Sequence, residues 1–96
     1  MILDSAIPYF FEFFGTFIFL SVILSVGEPI PIGLTLAALI YFGQKYANNA
    51  YNPAVSFALY MEDKVDGTRF VGFVLLQMLA ALCAWKFYNY MKTVEN

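Results

Sequence analysis

The chain has 96 residues, 61% hydrophobic, 20% aromatic and only 12% charged, where a soluble globular domain is typically about 25% charged and 45–50% apolar. Its net charge is −2 and its five Lys and Arg are scattered singly, which excludes the basic patch that nucleic-acid binding requires. His is absent and Cys occurs once, so imidazole catalysis, a His/Cys metal site and an internal disulfide are excluded, and no cofactor is expected. Because a spanning helix takes about 20 apolar residues, the length allows at most about three spans, and residues 1–96 read as a single transmembrane domain of an all-α membrane protein.

In chain order, Met1 to Ile7 contain Asp4 and no Lys or Arg, and no small-residue cleavage site follows, so the first apolar segment is expected to be retained. Ile7 to Val26 reads IPYFFEFFGTFIFLSVILSV, broken only by Glu12, and as a helix it reaches roughly 30 Å, one span. Gly27, Glu28, Pro29 and Pro31 then act as breakers. A second apolar stretch, Ile32 to about Tyr46, is short for a span and is limited by Lys45 and by Asn48-Asn49. A third runs from about Thr68 to Tyr90, with Lys86 able to snorkel near its end.

Between the second and third spans, the apolar part Ala54 to Met61 covers roughly 12 Å as a helix, about half the hydrocarbon thickness. Asn52 before Pro53 predicts a helix start, an Asn cap with Pro at the first helical position. If that start lies at membrane depth, Ala47 to Tyr51 must run as irregular backbone, which is tolerated only beside protein or a water-filled cavity. Aromatics near the span ends, among them Tyr41, Tyr46, Tyr60, Trp85 and Tyr90, fit an interfacial belt. Gly15, Gly33 and Gly72 fall where small residues permit close approach of helices, and Cys83 reads as a small apolar packing residue.

These elements resemble one half of the aquaporin and glycerol-facilitator family, the major intrinsic proteins. Glu12-Phe13-Phe14-Gly15-Thr16 is similar to the opening of that family's first helix, Gly33-Leu34-Thr35 to part of its second, Asn52-Pro53-Ala54-Val55 to its signature, and Gln77 to the glutamine of its third. The likeness extends from about Pro8 to Tyr88. Family members hold two such halves in inverted orientation, and the second usually places Arg after its Asn-Pro-Ala; Val55 here resembles the first half. The resemblance implies three transmembrane helices plus one re-entrant half-helix.

A half-helix starting at Asn52 directs a partial positive charge at the midplane, and the Asn52 carboxamide can orient a water oxygen, so Asn52, Pro53 and Ala54 are the candidates for pore lining and proton exclusion. An ordinary surface cap is the competing reading of Asn52. By the resemblance, Ile32, Ile40, Asn49 and Val55 fall at the selectivity constriction, an unusually apolar set, and the carbonyls of Asn49, Ala50 and Tyr51 line the pore loop. Glu12, costly inside a membrane, would brace that loop through N–H groups around Asn48 to Ala50. Two other readings of Glu12 stand beside this one: a proton-binding carboxylate, as in the small multidrug resistance family, and a hydrated interfacial side chain. Gln77 would contact the loop or make a helix–helix hydrogen bond.

Three spans and one half-helix cannot enclose a pore. A second copy is therefore expected, and by the resemblance the expected function is passive permeation of water, with glycerol, urea or ammonia as further small neutral solutes, through an antiparallel homodimer in the lipid bilayer, with a tetramer of dimers as the family's analogue. Enzymatic activity is not expected. The alternatives are a proton-coupled small-molecule exporter using Glu12 and a non-transporting membrane subunit.

Overall fold

The computed structural model describes residues 2–95, which form four α-helices and no strands: α1 (Ile2–Ser25), α2 (Pro29–Gly43), α3 (Pro53–Met61) and α4 (Gly67–Glu95). Helix α1 begins five residues before the expected start and runs through Pro8. Pro8 lies inside the helix and forfeits one intrahelical hydrogen bond, and Asp4 in the first turn favours the helix dipole. The helix ends where Gly27 adopts a left-handed conformation at φ 69°, with its N–H reaching the Val22 carbonyl at 3.3 Å. Such a residue at a helix C-terminus is the commonest stop signal.

Helix α2 also starts earlier than expected. Pro29 and Pro31, read from the sequence as breakers, form its first turn, after Glu28 in extended backbone; N–H groups there have no intrahelical partner to lose. It stops at Gly43, so Lys45 and Tyr46 lie in a turn closed by the Tyr46 and Ala47 N–H groups on the Gly43 carbonyl, at 3.0 and 2.9 Å. Helix α3 starts as the Asn-Pro pair predicts: Asn52 is extended (φ −162°, ψ 130°) and its side chain accepts the Ala54 N–H at 2.7 Å. Asp66 caps α4 by accepting the Arg69 N–H at 2.8 Å, and α4 continues to Glu95, past the expected end. Helices α1 and α4 are long and apolar enough to span a membrane, while α2, at 15 residues, is shorter.

Helix α1 touches both α4 and α2, and α3 packs on α4. Tyr9 meets Phe73 edge-on at 5.3 Å and Phe17 meets Phe87 at 5.8 Å, so α1 and α4 run in the same direction. Phe11 stacks on Tyr46, so α2 runs back against α1. Burial departs from the usual distribution, although Tyr51 and Phe73 are buried too. Glu12, Thr16, Ser56 and Gln77 are buried, whereas Phe42 (70% exposed), Leu75 (66%) and Leu34 (66%) stand outside, although large apolar residues ordinarily fill the interior.

Candidate functional site

Three of the buried polar residues, Glu12, Ser56 and Gln77, form one network joining α1, α3 and α4 around the start of α3. Glu12 lies midway along α1. Its Oε2 accepts the Ala50 N–H at 3.0 Å and its Oε1 accepts the Tyr51 N–H at 2.7 Å. Oε1 also accepts from Gln77 Nε2 at 3.0 Å, and that same nitrogen donates to Ser56 Oγ at 2.7 Å. The carboxylate thus receives three donors from two parts of the chain. Hydrogen bonds to an ionised acceptor are about twice as strong as neutral ones.

The two backbone donors are Ala50 and Tyr51, displaced toward the half-helix from the Asn48 to Ala50 segment expected. Two successive N–H groups converge on one anion, the geometry of a backbone nest. Asn49 and Tyr51 reach it through positive φ angles of 57° and 56°, a conformation that Asn tolerates and that is rare for a bulky aromatic. Each peptide is planar and trans, so its carbonyl points opposite to its N–H. The Asn49 and Ala50 carbonyls therefore point away from Glu12, and no protein donor reaches either of them among the described residues. The Tyr51 carbonyl belongs to the next peptide, whose direction these bonds leave open.

The hydrogen bonds of Gln77 go to side chains on other helices and not to the loop. They make a helix–helix bridge, from α4 to Glu12 on α1 and Ser56 on α3. The sequence reading did not single out Ser56; its signal is a hydroxyl four residues after Asn52, on the same face of an otherwise apolar half-helix. Ser56 meets α4 ten residues after Gly67, about 15 Å along it, and Asn52 lies one turn deeper. Phe57 and Tyr60 pack on Phe70, so α3 returns toward the start of α4. Helix α3 thus runs back along α4, with its N-terminus near the middle of that helix.

Asn52 is exposed, and with its oxygen committed to the Ala54 N–H its amide N–H groups face outward from the start of α3. Pro53 is half-buried, and Ala54 and Val55 are exposed beside it. The four residues expected at a constriction are less uniform. Ile40 and Val55 are exposed, while Ile32 is half-buried in register with Leu36 and Leu39; eight residues apart, Ile32 and Ile40 point about 80° from each other around α2. The Asn49 side chain is turned onto α2, where its Oδ1 accepts from Tyr51 Oη at 2.8 Å and lies 2.2 Å from where a Cβ on Gly43 would be.

Two apolar concavities of about 320 and 280 Å³ flank Phe10 and Phe14, and neither is lined by Asn52, Val55 or the loop. No protein-family model matches the chain, and no curated protein or solved structure matches it.

Proposed function

We propose that the chain is one half of a passive channel for water and small neutral solutes, completed by a second copy in antiparallel orientation. The observation that carries this reading is the braced segment at the start of α3. A nine-residue helix begins midway along a spanning-length helix with an exposed, capped Asn52, and the loop before it is held by Glu12 with the Asn49 and Ala50 carbonyls directed the other way. Irregular backbone at membrane depth is tolerated where it is buried in protein or lines water. Here the N–H side has its protein partner, and the carbonyl side is left for permeating molecules. The N-terminus of α3 adds a partial positive charge that disfavours cations.

The exposed Phe, Leu and Ile side chains support lipid as the surrounding medium, since they need no cover there; inside, Glu12, Gln77 Nε2 and Ser56 satisfy one another, while Thr16 Oγ1, Ser21 Oγ and Gln77 Oε1 have no partner among the described residues. A second copy is invoked because Asn52, Ala54 and Val55 at the start of α3 are exposed on the single chain. Two chains related by an axis in the membrane plane reproduce the inverted-repeat architecture of many transport proteins. The exporter reading has less support: a proton carrier must expose and release its carboxylate, whereas Glu12 is wholly buried and is held by three donors.

Stopped-flow light scattering on proteoliposomes tests the proposal. Osmotic shrinkage faster than that of protein-free vesicles, with low activation energy and no dependence on a proton gradient, is expected. Gradient-dependent solute flux would replace the channel by an exporter, and absence of any flux would leave a non-transporting subunit.

A further inference from the structure

We infer that Tyr51 is the positioning residue of this site: its ring is keyed into a slot left open by Gly15 on α1 and Gly43 on α2, and this key sets where Asn52 and the start of α3 stand. The functional consequence rests on the channel reading above; the placement itself does not.

Tyr51 is 1% exposed yet belongs to an irregular loop and holds φ at 56°. A large aromatic persists in that conformation only where its surroundings over-determine it. Three contacts do so. Its N–H is held by Glu12 Oε1 at 2.7 Å. Its hydroxyl donates to Asn49 Oδ1 at 2.8 Å, with the Leu39 carbonyl at 3.4 Å. Its ring lies against Gly15, where an added Cβ would stand 2.2 Å from Cε1 and 2.6 Å from Cδ1, and its hydroxyl is 3.0 Å from the corresponding Cβ position on Gly43. Non-bonded atoms do not approach so closely, so a side chain at Gly15 and the Tyr51 ring cannot share the slot. Glycine disfavours the interior of a helix, and at Gly15 the accommodated ring is the offsetting gain.

The position of this key in the fold gives it its role. Helices α2 and α3 make no direct packing contact, so Tyr51 ties α2 to the start of α3, beside the Glu12–Gln77–Ser56 bridge that links α1 to it. Asn52 follows immediately. With both the N–H and the ring of Tyr51 held, few rotations remain by which Asn52 could shift. A residue that merely filled space would tolerate other apolar side chains and would show no specific dependence on Gly15.

The test uses the full chain in liposomes, with Cys83→Ala and Val55→Cys so that a membrane-impermeant thiol reagent reports the accessibility of the α3 start, and with water flux read in parallel. Gly15→Ala is expected to slow labelling at position 55 about tenfold, the scale of overpacking a filled site, and to lower water flux with it. Tyr51→Phe keeps the ring in the slot and loses the hydroxyl bond to Asn49 Oδ1, so its labelling is expected to fall between that of the parent and that of Tyr51→Ala. In a Tyr51→Ala background, adding Gly15→Ala is expected to change labelling by less than about twofold, because the clash has no second partner. If Gly15→Ala does not insert, Gly43→Ala is compared with and without Tyr51→Ala in its place. The inference is overturned if the glycine substitution leaves labelling unchanged, or slows it equally with and without the ring. Absence of water flux from the parent chain alongside the expected labelling pattern would refute the channel and leave the key standing.

Discussion

Replacing Glu12 by Gln is the sharpest perturbation of the network, because it keeps the shape of the side chain and exchanges one acceptor oxygen for a donor. The carboxylate receives Ala50 N–H, Tyr51 N–H and Gln77 Nε2 at 3.0, 2.7 and 3.0 Å. A Gln amide can turn its oxygen toward Tyr51 and Gln77, but its nitrogen then faces the Ala50 N–H, leaving a buried donor unpaired at a cost of about 1–3 kcal/mol. The two retained bonds lose charge assistance, about 1 kcal/mol each. Relief of the buried charge returns part of this, and a net loss of about 2 kcal/mol, roughly a 30-fold shift in the folding equilibrium, is expected. Denaturant titration in micelles, followed by helical circular dichroism and the fluorescence of Trp85, the single tryptophan, measures it. Gln77→Leu removes one donor to the same carboxylate and should be sub-additive with Glu12→Gln, since both act on one network. A Glu12→Gln variant within about 0.5 kcal/mol of the parent, the range of an ordinary surface change, would refute the bracing role of this carboxylate.

Asn52→Asp keeps the oxygen that caps Ala54 and adds a negative charge at the positive end of α3, so stability should hold while proton and sodium leak into liposomes rises; unchanged leak with full water flux would remove Asn52 from the permeation path. Val55→Arg places a bulky cation on an exposed position beside Asn52 and should lower glycerol flux more than water flux, an effect absent if the two fluxes keep their ratio. Orientation is set by Lys and Arg near the span ends. Lys45, Lys64 and Arg69 at one end face only Lys92, with Lys86 nearby, at the other, so both insertions should occur. Lysines at Glu28 and Thr93 should lock one orientation and lysines at Asp4 and Ser5 the other, each inactive alone and active when co-expressed; full flux from one locked form would exclude the antiparallel pair.

What the sequence determined by itself was local. The Asn52-Pro53 start of α3 was legible because a cap and a proline at the first helical position act within three residues, and the cap bond runs from Ala54 to Asn52. The apolar character of α1 and α4 followed from composition over some 20 residues, and Glu12 stood out as the one charge in its stretch. Boundaries read less well, because prolines at 29 and 31 look like breakers yet lie in the first turn of α2, where a missing N–H costs little. Tertiary structure alone decided the rest. Glu12 takes its donors from 38, 39 and 65 residues away, and Ser56 meets Gln77 across 21. The left-handed turns at Asn49 and Tyr51 exist because a carboxylate and a glycine-lined slot on other helices hold them. No local propensity favours a tyrosine there, and so the orientation of the loop carbonyls and the withdrawal of Asn49 onto α2 become visible only once α1, α2 and α4 have packed.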